Sequence, residues 1–394
     1  MKKLTIRDLD IKNKKVLVRV DFNVPLSSAG EISDDNRIRA ALPTIEYIIR
    51  ENGITILMSH LGKPKGKLDM KYSLKPVAKR LSELINREVL FADDCIGSIV
   101  ENLIQQAKPG DVVLLENLRF HAEEEKNNPD FAKSLAMLGD LYVNDAFATA
   151  HRAHASTEGI TKFFKTPVAG FLMEKEIDYL SYVAESPKHP YVAIIGGSKI
   201  TDKLGVIKNL LPKVDYLLLG GGLIFNFIKA QGYEIGSSIF EPEMLAEAKS
   251  LLSEKKIKLP IDIVIADKID ASANTKIVNT NAILLGWSGV DIGPETIKSY
   301  SEIIKNAKTI AWAGPIGIFE IDKFANGSKE IGLAVADATS AGATSVVGGG
   351  DTGSALKKFG LKNKMSFVST AGSASLEFLE GKELPGITAL KDKV

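Results

Sequence analysis

Short apolar runs alternate with amphipathic stretches along the whole chain, a pattern that restricts the fold to parallel sheets covered by helices on both faces. In the first half, residues 16–22, 54–58, 112–115 and 141–143 read as buried strands, and in the second half 192–195, 216–219, 261–265, 309–312, 345–347 and 367–369 do the same. Helices are expected between them. Over 37–50, Ile38, Ala41, Leu42, Ile45, Ile48 and Ile49 form one stripe, and Asp34 or Asp35 can cap the start. At roughly 100 to 200 residues per domain, 394 residues predict two domains. The expected architecture is α/β, with two Rossmann-like, doubly wound parallel-sheet domains in a bilobed, hinge-bending protein. The spacing predicts a first domain over 1–172 and a second from 173 onward, with an interdomain helix over 173–186.

Composition excludes several function classes. Charged residues make up 25% and hydrophobic residues 45%, so ordinary cores can be buried and disorder is not expected. Lys plus Arg, 50, nearly cancels Asp plus Glu, 49; a net charge of +1 argues against nucleic acid or an anionic membrane as partner. Cys95 is the only cysteine, which rules out an intramolecular disulfide or a cysteine zinc cluster and fits a reducing compartment. The stretch after Lys2-Lys3 is too polar for a signal-peptide core, and no apolar run reaches the ~20 residues of a membrane span. A cytoplasmic protein is expected.

Arginine and glycine are unevenly distributed. All nine arginines precede residue 153, whereas 24 of the 33 glycines follow residue 173. Guanidinium forks bind carboxylate and phosphate bidentately, and glycine-rich turns let backbone amides approach phosphates or a flat ring. Ligands of open α/β sheets sit beyond the carboxyl ends of strands, and there the first half places Arg19-Val20-Asp21-Phe22-Asn23, Ser59-His60-Leu61-Gly62-Lys63, Glu116-Asn117-Leu118-Arg119-Phe120 and Asn144-Asp145, leading to His151-Arg152-Ala153-His154. With Arg37 opening a helix, this rim suits a small polyanion. The competing reading is that its arginines pair with neighbours such as Asp21 and Glu116.

In the second half, Gly196-Gly197-Ser198-Lys199-Ile200-Thr201-Asp202-Lys203 follows a strand. If Ser198 caps a helix, Lys199 and Lys203 are i, i+4 neighbours at its positive end, favourable only with an anion present. The Gly-x4-Gly-Lys-Ser/Thr spacing of a Walker A loop is absent. Gly348-Gly349-Gly350-Asp351-Thr352-Gly353 offers amides for phosphates and a carboxylate for a phosphate-bound magnesium ion. Ala371-Gly372-Ser373 is another small-residue helix start. Gly348, Gly350 and Gly353 also satisfy Gly-x-Gly-x-x-Gly, so an NAD-dependent oxidoreductase is the alternative; the acidic ribose ligand expected about 20 residues on is missing. A non-catalytic anion-binding module explains the arginines but not the paired lysines with the glycine loop. Cys95 reads as an inert small hydrophobe, His121 and His154 as structural, and Trp287 and Trp312 as core.

These segments, together with Val24-Pro25, Pro64, Ala146-Phe147, Gly314-Pro315-Ile316-Gly317-Ile318-Phe319-Glu320, Ser375-Leu376-Glu377 and Gly381-Lys382-Glu383-Leu384-Pro385-Gly386, resemble phosphoglycerate kinase over essentially the whole chain. The resemblance implies reversible phosphoryl transfer between 1,3-bisphosphoglycerate and Mg-ADP, giving 3-phosphoglycerate and ATP, in a monomer that closes its two lobes. It implies that Asp21, Phe22, Asn23, Arg37, His60, Leu61, Gly62, Lys63, Arg119 and Arg152 hold the phosphoglycerate. Lys203, Glu320, Gly349, Gly350, Asp351 and Thr352 would hold the nucleotide, with Glu320 at the ribose and Asp351 at the metal. Arg37, Lys199, Lys203 and Gly372 would surround the moving phosphoryl group, and segment 376–394 would return to the first domain. Lys63 stands where the family has arginine, Ala313 for asparagine, Ala148 for glycine, and Ala371-Gly372-Ser373 for a glycine triplet. A positive φ required at 371 or 373 would be strained.

Overall fold

A computed structural model describes residues 2–393. The chain divides into two compact units, Met1–Asp178 with Glu383–Val394 and Tyr179–Lys382; the division falls within the helix Phe171–Glu185. No helix among the described residues is long and apolar enough to cross a membrane.

The first unit is built on strands β1 (Lys15–Arg19), β2 (Ile54–Met58), β3 (Val89–Ala92), β4 (Val112–Leu115), β5 (Leu141–Asn144) and β6 (Val168–Ala169). They form one sheet in the order β3-β4-β2-β1-β5-β6, every pair parallel. Val16, Leu17, Val18, Ile56, Leu57, Val113 and Leu114 are fully buried, as strands covered on both faces require. The helix Asn36–Arg50 buries Ile38, Ala41, Ile45 and Ile48. Neither expected aspartate caps it in the usual way: Asp34 Oδ1 accepts from Asn36 N at 2.9 Å, while Asp35 binds Arg39 and Arg80. Chain order runs from β1 toward β2 on one side and resumes at β5 on the other, so the topological switch lies beside β1.

The second unit repeats the plan with β7 (Tyr191–Ile195), β8 (Tyr216–Leu219), β9 (Ile257–Lys258), β10 (Asp262–Ala266), β11 (Thr275–Asn279), β12 (Ser288–Ile292), β13 (Thr309–Ala313), β14 (Thr344–Gly348) and β15 (Phe367–Val368). Its main sheet runs β15-β14-β13-β7-β8-β9, all parallel, with the switch between β7 and β13. The apolar run at 261–265 departs from expectation. It enters a separate antiparallel sheet, β11-β10-β12, whose partner β11 is mostly exposed and therefore carries no apolar signature. Trp312 is core, but Trp287 is only half-buried, with Lys276 Nζ 4.6 Å from its ring centroid.

β10 also anchors the second unit's helix Pro294–Lys305. The Asp262 carboxylate accepts from Glu295 N (3.1 Å), Thr296 N (2.8 Å) and Thr296 Oγ1 (2.7 Å), satisfying amides that the first turn leaves unpaired. Asp262→Ala strands these buried donors and is expected to lower unfolding free energy by about 1–3 kcal/mol in urea titrations, with the native secondary structure retained; an unchanged midpoint would remove Asp262 as anchor.

Candidate active site

Four adjacent strands of the first sheet, β4, β2, β1 and β5, end in the polar segments singled out in the sequence. Immediately past β1, Asp21 pairs through Oδ2 with Arg37 Nη1, and its Oδ1 accepts from Asn23 N. Asn23 Oδ1 in turn accepts from Gly62 N at 2.9 Å, joining the β1 and β2 loops. The β4 loop is tied in by Arg119, whose Nη1 donates to Gly62 O at 2.9 Å and whose Nε lies 3.3 Å from Glu125 Oε1. Asn117 Nδ2 donates to Leu61 O, and Ser59 Oγ accepts from Phe22 N, both at 2.8 Å. Asp21, Phe22, Asn23, Arg37, His60, Leu61, Gly62 and Arg119 thus form one connected rim. Lys63 and Arg152 are more exposed; Arg152 Nε bonds His151 Nε2 at 3.0 Å.

Arg19, placed at a strand end by the sequence but given no role, lies beneath the rim. Its buried guanidinium donates to Ser156 Oγ (2.8 Å), Val20 O and His60 Nδ1 (3.2 Å). A guanidinium only donates, so Nδ1 of His60 accepts and the ring carries its proton on Nε2. Burial, then the charges of Arg19, Arg119 and Arg37, push His60 well below its usual pKa. Glu124 balances this charge from full burial, accepting from Ser156 N and Oγ; desolvation raises its pKa and Arg19 opposes the rise. His154 lies in the same network, with Nδ1 3.9 Å from Glu124 Oε1.

In the second unit the loops after β7, β8, β13 and β14 converge through their backbones. Gly196 N donates to Ala313 O, Gly197 N to Pro315 O, and Gly221 N to Ile316 O. The approach leaves no room for side chains, since a Cβ at Gly196 would stand 2.1 Å from Pro315 O. Thr352 is spent on structure: its Oγ1 accepts from Gly314 N at 2.8 Å and donates to Gly348 O at 3.2 Å. Ser375 ties two helix starts together, accepting from Gly349 N and donating to Gly372 O. Of the three residues 371–373 only Gly372 has a positive φ, +56°, so the strain considered for Ala371 and Ser373 does not arise. A cavity of about 340 Å³ lies among these loops, walled by Gly221, Gly222, Phe225, Ile239 and Ile316, with Glu320 and Asp351 among its lining residues. Glycine and aliphatic walls suit a flat heteroaromatic ring.

Ser198 does not cap a helix. The segment 198–203 is irregular, the helix begins only at Leu204, and the anion at the preceding amides is internal: Glu241 accepts from Ile200 N (2.7 Å), Thr201 N (3.3 Å) and Thr201 Oγ1 (2.8 Å). Asn226 fixes Glu241 in turn, donating from Nδ2 to its carbonyl. Glu241 thereby shapes the turn bearing both lysines, a role no local motif announces. Lys199 is exposed. Lys203 is half-buried and lies over Gly197; desolvation lowers its pKa, against Asp202, Asp351 and Glu380.

Two α/β domains, one with an arginine rim and the other with a glycine-lined cavity beside lysines, define a phosphotransferase of small molecules. The phosphoglycerate kinase family model matches residues 6–382, and the chain belongs to that family. It is 55% identical to the cytosolic phosphoglycerate kinase 3 of Arabidopsis thaliana over 98% of each chain, and 54% identical to the phosphoglycerate kinase of Thermosipho africanus over 100% of this chain and 99% of that one. Its fold superposes on the phosphoglycerate kinase of Coxiella burnetii with a TM-score of 0.90 at 43% identity, over 98% of each chain, and on that of Pyrococcus horikoshii with 0.85 at 34%, again over 98% of each. The protein is therefore an enzyme that transfers a phosphoryl group reversibly between 1,3-bisphosphoglycerate and ADP, and the oxidoreductase alternative has no support.

The neutral histidines make stability depend on pH. His60 is held well below its usual pKa and His154 is pushed down to about 3, whereas in the unfolded chain each titrates near 6.5. Through these two rings the unfolded state binds more protons below about pH 6.5, which lowers stability as pH falls, whereas buried Asp291, raised to about 7, and Asp145, raised to about 6, act in the opposite sense. His60 alone contributes a slope of up to roughly 1.4 kcal/mol per pH unit, with His154 acting in the same direction. Urea titrations between about pH 7.5 and 5 of the parent and of His154→Gln isolate the imidazole: the variant is expected to lose less stability, or gain more, on acidification, and identical pH dependence in the two would contradict a buried neutral His154.

Proposed function

We propose that the first unit binds the phosphoglycerate through Asp21, Phe22, Asn23, Arg37, His60, Leu61, Gly62, Lys63, Arg119 and Arg152. The second unit binds the nucleotide through Lys203, Glu320, Gly349, Gly350, Asp351 and Thr352, with Glu320 at the ribose. The observation carrying this division is that each group issues from the carboxyl ends of adjacent parallel strands, one set rich in guanidinium, the other in glycine. A cytoplasmic location is supported by relatives of Arabidopsis thaliana and Nicotiana tabacum named as cytosolic.

In the direction of ATP consumption the acceptor is the carboxylate of 3-phosphoglycerate, which is ionised at neutral pH because a model carboxyl has a pKa of about 3 to 4. No protein base is required. His60, neutral and locked with Nε2 protonated, serves as a fixed donor rather than a proton acceptor. Catalysis then consists of alignment and of neutralising charge on the equatorial phosphoryl oxygens, the task of Arg37, Lys199, Lys203 and the turn at Gly372. The two ligands lie on different units, so transfer requires a closure that brings them together and excludes water. Asp351 fits a magnesium ligand: it is an exposed hard-oxygen donor in the first turn of the helix Gly350–Lys358, electrostatically coupled to Lys203. When bound with the nucleotide, the ion supplies charge neutralisation on phosphate oxygens.

Arg37→Ala and Lys203→Ala are each expected to lower turnover by about 100-fold or more in a coupled assay of ATP-dependent 1,3-bisphosphoglycerate formation, with circular dichroism unchanged. Near-normal turnover in both would refute the assignment.

A further inference from the structure

One cluster of metal-binding side chains lies apart from the residues assigned to either ligand. Asp94 and Cys95 follow β3, and His121 follows the turn Leu118–Phe120, which carries Arg119. One ligand atom from each of the three residues lies within 4.8 Å of the others. His121 Nε2 is already 2.7 Å from Asp94 Oδ1, and the Asp94 carbonyl accepts from Glu116 N, so the two segments are held together by backbone as well as side chains. Burial is graded: the thiol is fully buried, the imidazole is 27% exposed and the carboxylate 52%.

We propose that Asp94, Cys95 and His121 form a binding site for a borderline-soft divalent cation of the zinc type, with water completing the coordination. One thiolate, one imidazole and one carboxylate are a donor set that suits zinc and disfavours magnesium, which takes oxygen ligands. Metal–ligand bonds of about 2.0–2.3 Å at tetrahedral angles place donor atoms about 3.5 Å apart, within small side-chain adjustments of the separations present. Binding releases the Cys95 thiol proton to solvent and uses the neutral imidazole through Nε2. A composition with a single cysteine excludes a cysteine cluster but not this mixed site. An ion held here ties the loop after β3 to the turn carrying Arg119, independently of the magnesium that accompanies the nucleotide.

The single cysteine makes the test unambiguous, because any thiolate-to-cobalt charge-transfer absorption reports Cys95 alone. Cobalt(II) titrated into the chelator-treated full-length protein is expected to produce that band, saturating at one equivalent per chain and bleached by zinc. Cys95→Ala abolishes it. His121→Asn and Asp94→Asn, at partly exposed side chains, each weaken cobalt binding about ten-fold or more while the fold is retained by circular dichroism. Absence of the band in the parent protein, or unchanged cobalt affinity in either of the latter variants, would overturn the site.

Discussion

A guanidinium cannot shed its charge at any working pH, so a rim carrying Arg37, Arg119 and Arg152 over the buried Arg19 has to be stabilised as a permanently cationic region. The first unit does this with carboxylates placed beside the cations or one side chain away. Asp21 positions Arg37, Glu125 lies beside Arg119, and the buried Glu124 counters Arg19 through Ser156. The same field dictates the state of His60. A protonated imidazole beside three arginines in a desolvated site would be strongly unfavourable, so the ring stays neutral, and Arg19 decides which nitrogen bears the hydrogen.

The second unit solves a related problem with backbone. Glycine at 196, 314 and 221 lets the loops after β7, β13 and β8 touch carbonyl to amide, which creates a cavity edge without side chains. Glu241 occupies the amides of Ile200 and Thr201, so positive charge at this turn is delivered by the side chains of Lys199 and Lys203. Lys203, drawn partly out of water, is the one whose charge is least screened, and the carboxylates of Asp351 and Glu380 help keep it protonated.

Much of this was legible in the sequence because parallel α/β sheets put chemistry at predictable places. Buried strands announce themselves as unbroken apolar runs, and whatever polar motif follows stands at the ligand edge; that is how Asp21, His60, Arg119 and the loop at Gly349 could be read. The two-residue strands β6 and β9 carry too few residues to signal, and the exposed β11 has no apolar pattern. The run at 261–265 was apolar enough to be a strand, yet nothing local distinguishes the antiparallel partner it found. Residues that act by holding others were hardest to see. Glu241 reaches its turn from 40 or 41 residues away, and Glu124 lies in an acidic stretch that reads as solvated surface until burial singles it out.

The central claim is that phosphoryl transfer here needs fixed charge and alignment but no proton transfer to the protein. Single-turnover phosphoryl transfer from ATP to 3-phosphoglycerate, followed as a function of pH with both substrates saturating, tests it most directly. The predicted profile has the same shape in the parent and in variants at His60 and His154 between about pH 6 and 8, any limb there belonging to the substrate phosphates, whose second ionisation falls near 6. A limb with an apparent pKa near 6 to 7 that vanishes on substituting His60 or His154 would show a protein base at work and contradict the account.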